Sequence, residues 1–197
     1  MFNKDKIHFT SDSHFYHFNI IRYCNRPFQS VTEMNETMIS RWNERVKKDD
    51  VVYHLGDIFL GTENEARSII SRLNGTIYLI EGNHERTALS MRSAFGWVRN
   101  MFTLKVNDTD APRGIQEIVM CHYAMLTWNK AHHGAWHIFG HSHRNLNPWI
   151  QTNLSQAKMV DVGVDNWNFY PVSYNELKAH MDKKKGQAVD HHEQNGN

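Results

Sequence analysis

Short apolar runs that stop abruptly at Asp, Asn or His constrain this chain more than any other feature. Ile7-His8-Phe9-Thr10 leads into Ser11-Asp12-Ser13-His14, and Val51-Val52-Tyr53-His54-Leu55 into Gly56-Asp57. Ile77-Tyr78-Leu79-Ile80 leads into Gly82-Asn83-His84-Glu85, Ile115 to Met120 into Cys121-His122-Tyr123, and Ala135 to Phe139 into Gly140-His141-Ser142-His143. Such runs, bounded by turn residues, have the pattern of buried strands. Between the first three lie helices opened by the capping boxes Ser30-Val31-Thr32-Glu33 and Thr62-Glu63-Asn64-Glu65. Met34, Met38, Trp42 and Val46 recur at helical spacing, so that face belongs to a core. Ala66, Ile69, Ile70 and Leu73 do the same in the second helix, which Asn74-Gly75 ends. Strand, helix, strand, helix, strand argues for a parallel sheet with right-handed crossovers.

Farther along, Thr87 to Arg99 is expected to be helical and then irregular. Phe102–Val106 and Ile115–Met120 form a strand pair around the turn-rich stretch Asn107 to Gly114. Lys158 to Val162 is a late strand, and a third capping box, Ser173 to Glu176, starts a short last helix. Residues 1–181 are expected to form one domain, and the polar tail 182–197, with His191 and His192, to be disordered. The formal net charge of +1, with both signs scattered, offers no electrostatic footprint for nucleic acid. Cys24 and Cys121 match no CxxC spacing, which fits a reducing compartment. No apolar run approaches the roughly 18 residues of a membrane span, and Met1 to Lys6 is polar rather than signal-like, so a soluble, cytoplasmic protein is expected.

Open α/β sheets place their ligands at the carboxyl ends of the strands. Collected there are Asp12, His14, Asp57, Asn83, His84, His122, His141 and His143. Taken singly, each is an ordinary turn residue. Together, two carboxylates, an Asn and five His are hard to explain as packing, because a buried His needs a partner. On an extended segment, Asp12 and His14, two apart, would point to the same side, as would His141 and His143. The mixture of oxygen and imidazole donors suits Mn²⁺, Fe, Zn²⁺ or Ni²⁺ better than Ca²⁺ or Mg²⁺ alone. Eight candidates exceed the three or four ligands of one catalytic zinc, so two ions are expected.

Asp-x-His, Gly-Asp, Gly-Asn-His-Glu, a lone His and Gly-His-x-His, in that order, resemble the calcineurin-like metallophosphoesterases from Ile7 to about Tyr170. The resemblance implies an α/β (α+β) fold of two packed mixed sheets flanked by helices. It also implies residue roles. Asp12, His14 and His143 would hold one metal, Asn83, His122 and His141 the other, and Asp57 would bridge them, while His84 would be a catalytic acid. Two divalent ions, Mn²⁺ first, would hold a bridging hydroxide for in-line attack on phosphorus.

One segment departs from the pattern. Relatives acting on phosphoserine and phosphothreonine proteins carry Gly-Asp-x-x-Asp-Arg-Gly, whereas this chain has Gly56-Asp57-Ile58-Phe59-Leu60-Gly61. The Asp that would orient the catalytic His is Leu60 here, and the phosphate-binding Arg is absent. A protein phosphatase is therefore disfavoured. Phosphate contacts would come from Arg22, Arg26, Arg86 or Arg144, each beside a motif, with His17 and Asn19 lining the same pocket. His54 is placed to orient a ligand, and His132 and His133 to cap the cleft. Cys121 is expected to face away from the metals as a small buried residue. Trp167, Phe169 and Tyr170 are assigned to core or sheet edge, because no basic patch accompanies them.

The expected activity is hydrolysis of phosphate esters, foremost a phosphodiesterase on a small or nucleotide-like substrate. A phosphomonoesterase is the alternative. A nuclease, or a scaffold that binds protein through a former active site, stands further off, since the chain lacks a basic grip and keeps every ligand position.

Overall fold

Which face each strand buries decides the layers. The computed structural model describes residues 3–190. In chain order its first half comprises β1 (Ile7–Thr10), α1 (Phe18–Tyr23), α2 (Val31–Arg45), β2 (Val51–His54), α3 (Glu63–Ile70), β3 (Thr76–Ile80), α4 (Arg86–Ser90) and β4 (Val98–Arg99). The second half comprises β5 (Met101–Asn107), β6 (Ile115–Cys121), β7 (Trp136–Phe139), α5 (Asn147–Asn153), β8 (Met159–Asp161), β9 (Val172–Ser173) and α6 (Tyr174–Met181).

One sheet has the order β4-β3-β2-β1-β9, parallel except at β9, and the other β5-β6-β7-β8, parallel except at β5. Ile7, Phe9, Val51, Tyr53 and Ile80 of the first sheet meet Leu104, Val106, Ile118, Met120, Trp136 and Ile138 of the second in one apolar cluster between them. The alternate residues Val52, Ile77 and Leu79 pack under Met34, Met38 and Trp42 of α2 and Ala66 and Ile69 of α3. Val119, Phe139 and Met159 pack on the far side with Ile150 of α5. Period-two alternation therefore gives a helix–sheet–sheet–helix sandwich. Both faces of β1, β2 and β7 are covered, which is why those runs are continuously buried.

The expected core helices and strands are present; the strand ends differ by a residue or two, whereas α3 stops at Ile70, short of Leu73 and Asn74-Gly75, and α6 runs on to Met181, past Leu177. Four short elements were not expected. Both α1 and α5 lack a side-chain cap, at His17 and Leu146, so no Ser/Thr signal announces them. The two-residue strands β4 and β9 are too short to carry a period. In the tail, Lys184 Nζ donates to Met159 O, Gly186 N to Gln156 O and Lys185 N to the Gln156 side chain, so residues 184–186 lie against the fold. His191 and His192 lie outside the described residues. Among the described residues no helix is long and apolar enough to cross a membrane.

One buried charge ties the chain ends to the second sheet. Asp108 accepts from the Tyr174 hydroxyl at 2.7 Å and from Lys4 at 3.1 Å, and lies 3.2 Å from Lys178. Burial opposes its charge, but the hydroxyl and the two ammonium groups outweigh that and hold the carboxyl well below its usual range. A depressed carboxyl stabilises the fold above its unfolded value of about 3.9, and that contribution fades as pH falls below it. Asp108→Asn should therefore cost about 1.5–3 kcal/mol at pH 7. The gap in Tm between the variant and the parent should narrow in thermal melts taken below about pH 4.

Candidate metal centre

The carboxyl ends of the parallel strands of both sheets meet at one edge, and the loops leaving them interlock. Asp12 N donates to Gly56 O, His14 N to Asp57 O, and the Asp12 carboxylate receives the His141 N–H at 2.9 Å. The loops approach closely because two glycines have no Cβ. A Cβ on Gly140 would stand 2.3 Å from Asp12 Oδ2, and one on Gly82 2.4 Å from Asp57 Oδ1.

Asp12, His14 and His143 bring their ligand atoms within 4.8 Å of one another, and so do Asp57, His122 and His141. Asp57 Oδ2 lies 3.7 Å from His14 Nε2 on one side and 3.7 Å from His122 Nε2 on the other. Asn83 Oδ1 is 3.1 Å from that same His122 nitrogen. The seven expected ligands thus lie close together, in two donor groups between which Asp57 stands, with Asn83 beside His122. The route differs from the expected one, however. Asp12, His14, Asp57, His141 and His143 all have left-handed backbone, with φ between 45° and 65°. The pairs two apart therefore do not converge as alternating strand residues; β1 has already ended at Thr10. Left-handed backbone costs a non-glycine residue about 1–3 kcal/mol and gathers at functional sites.

The donor atoms fit a cation. Asp12 Oδ1 and His14 Nε2 are buried without a hydrogen-bond partner, an arrangement that a metal ion between them satisfies. Burial pushes the Asp12 carboxyl up to about 7 and the His14 imidazole well down. Two imidazoles are held with Nε2 facing the shared carboxylates. His122 Nδ1 lies 2.7 Å from Leu55 O, which requires a proton on that nitrogen. His143 Nδ1 lies 2.8 Å from Asp165 Oδ2, leaving Nε2 3.8 Å from Asp12. Burial opposes charge on His143, but the Asp165 hydrogen bond prevails and raises it to about 10. A carboxylate–His–metal relay of this type orients the ring and raises its basicity.

Asp165 is a residue that the sequence reading missed, because it lies in no motif. Glu85 is another. Its carboxyl receives the backbone N–H groups of Asp57 and Ile58, fixing the loop that presents Asp57, and burial raises it to about 8. Asp165→Asn should weaken metal affinity about 10- to 100-fold in a competition titration, because the His143 ring loses its anchor.

His84 is exposed beside the two sets, its ring 6.0 Å from that of His14. Its backbone N–H donates to Asp57 Oδ1 at 2.8 Å, and among the described residues no group hydrogen-bonds its imidazole. That is the situation expected from Leu60. His17 is half-buried with its ring 5.4 Å from that of His14, and Asn19, Arg22 and Arg86 are exposed on α1 and α4. Arg144 is exposed and donates to Cys24 O.

Arg26 corrects the expectation of a phosphate ligand. Its side chain is fully buried and forks onto both Asp165 oxygens at 2.9 Å, with further bonds to Ser13 O and Asp12 O. It braces the loop that carries Asp12 and Ser13 and leaves no free face for a phosphate. His132 and His133 also fall elsewhere, on the turn before β7, whereas His141 and His143 follow its other end. His54 is buried and pairs with Ser13, the residue between Asp12 and His14, at 2.8 Å. Cys121 is half-buried, and Cys24 lies against His143 and Asp165. Phe169 is core, its ring edge-on to that of Phe28 at 4.8 Å, while Trp167 and Tyr170 are half-buried.

Three proteins resemble most of this chain. An uncharacterized protein of Methanocaldococcus jannaschii is 34% identical over 183 residues, covering 91% of this chain and 93% of its own length. The gene 66 protein of Mycobacterium phage L5 is 27% identical over 182 residues, covering 81% of this chain and 86% of its own. A crystal structure of a protein of unknown function from Aquifex aeolicus shares the fold, with a TM-score of 0.65 at 20% identity, over 88% of this chain and 98% of that one. A model of the calcineurin-like phosphoesterases matches residues 5–145, the span that carries the motifs, and the chain belongs to that family of metal-dependent phosphoesterases.

Proposed function

We propose that this protein is a two-metal phosphodiesterase acting on small substrates. The observation that carries the reading is the shared carboxylate: Asp57 lies equally far, at 3.7 Å, from an imidazole of each donor set. Asp12, His14, His143 and Asp57 would hold one divalent ion, and Asn83, His122, His141 and Asp57 the other, with Mn²⁺ the first choice for this donor mixture. When bound, such ions lower the pKa of a coordinated water to near neutrality and offset the charge on phosphoryl oxygens.

The chain's own groups supply the rest. Arg26, Asp165 and Glu85 hold the ligand loops rigid, so the donors need no reorganisation during reaction. His84, open to solvent beside the shared carboxylate, donates a proton to the departing ester oxygen.

The preference for diesters rests on charge. A diester carries one negative charge and a monoester nearly two, and here the guanidinium of Arg26, bound to the Asp12 and Ser13 carbonyls, is sealed by Asp165. Leu60 and Gly61 stand where protein phosphatases of this pattern have Asp and Arg. The test is hydrolysis of bis-p-nitrophenyl phosphate against p-nitrophenyl phosphate, with Mn²⁺ and with chelator. Faster metal-dependent turnover of the diester is expected. A preference for the monoester would overturn the diesterase assignment, and turnover that survives chelation would overturn the metal mechanism.

A further inference from the structure

The free edge of the second sheet borders a cavity that the metal centre does not use. β8 closes the order β5-β6-β7-β8, and beyond it lies a space of about 600 Å³ walled by α5 and the end of α6. Gln151, Asp161, Asn166, Trp167, His180 and Lys184 line it, and none of them belongs to either donor set. That volume suits a small organic molecule.

An added peptide strand fits poorly, because the acceptors on this edge are taken. His137 N takes Lys158 O and Val162 N donates to Phe139 O, so the carbonyls of Met159 and Asp161 face away from β7. Lys184 Nζ donates to the first, and Trp167 Nε1 donates to the second at 3.0 Å. An edge capped in this way resists strand addition.

The charge of the lining is one-sided. Lys184 is half-buried and, among the described residues, pairs with no carboxylate, whereas Lys178 of α6 lies 3.2 Å from Asp108. Burial pushes the Lys184 ammonium down. Burial, then the charges of Lys184 and Lys183, also push the His180 imidazole down, so this ring is neutral at pH 7. The one carboxylate in the lining, Asp161, spends its oxygens on Ser142 Oγ and Gly163 N, both at 2.7 Å. A cation drawn out of water without a counter-charge is costly, and an anion in the cavity would offset that cost.

Two further groups define the anion. Asn166 Oδ1 accepts from Asn147 Nδ2 at 2.8 Å, while its own Nδ2 is buried with no partner. A leftover donor of this kind calls for an acceptor. Trp167 adds an aromatic wall, held by its bond to Asp161 O. One ammonium with amide donors matches a single negative charge, a carboxylate rather than a phosphate dianion, and an indole wall matches a planar ring.

We propose that this cavity is a second ligand site that takes a small aromatic carboxylate, with its charge on Lys184 and Asn166 and its ring against Trp167. The site is separate from the metal centre and does not depend on which phosphate ester is cleaved there.

The test is calorimetric binding of benzoate, 2-naphthoate and indole-3-acetate, each against its uncharged amide, to the Mn²⁺-loaded full chain. The parent, Lys184→Met, Lys184→Arg and Trp167→Leu are compared. The parent should bind at least one acid about 10- to 150-fold more tightly than its amide, the range of a hydrogen bond to a charged group. Lys184→Met should bring that ratio close to one, and Lys184→Arg should keep most of it. Both should retain the parent's metal content, since Lys184 belongs to neither donor set. Trp167→Leu should weaken acid and amide together. No preference for any acid in the parent would overturn the proposal. So would a preference that survives in Lys184→Met, which would place the carboxylate on Mn²⁺ instead.

Discussion

Asp57→Asn is expected to lower metal-dependent hydrolysis by about 10³-fold or more and to release at least one of two bound ions. Asn preserves the volume and keeps an oxygen for the His84 N–H, so the loop should hold its shape. What it removes is a negative charge shared by both donor sets. The ion pair supplies several kcal/mol of transition-state charge stabilisation, and about 4 kcal/mol corresponds to about a thousandfold in rate. Elemental analysis beside steady-state kinetics checks this. Full metal content with turnover within tenfold of the parent would show that Asp57 is not shared.

His84→Ala should behave differently, lowering kcat by about 10²- to 10⁴-fold while leaving metal content intact. Only the backbone N–H of His84 contacts Asp57, and that contact survives truncation of the side chain. Its imidazole is exposed and belongs to neither donor set. Loss should be smaller for esters with good leaving groups, because an activated oxygen needs less help from an acid. Comparing p-nitrophenyl and alkyl diesters with metal content measured alongside tests it. Metal lost in step with activity would make His84 a ligand rather than an acid.

Much of this was legible because period and punctuation were strong. Met34, Met38 and Trp42 announce α2, and Gly56, Gly82 and Gly140 mark the strand ends where the loops meet. The donor set could be listed from its position after apolar runs. Its geometry could not be: the left-handed backbone at Asp12, His14 and Asp57 arises from loop interlocking, which no local pattern encodes. Arg26 shows the same limit. Its place beside the first motif suggested phosphate, but its partner, Asp165, lies 139 residues away in sequence. Glu85 sat in plain view in Gly82-Asn83-His84-Glu85, yet its use depends on the Asp57 loop arriving from another strand. Long-range partners decide whether a polar side chain faces substrate or braces a loop.

The most direct measurement is a Mn²⁺ titration of the metal-stripped chain, following bound metal and diester hydrolysis together. Two adjoining donor sets joined by Asp57 predict that binding saturates at about two ions per chain and that activity appears mainly with the second. Saturation at a single ion with full activity, or hydrolysis that ignores the metal, would contradict the account.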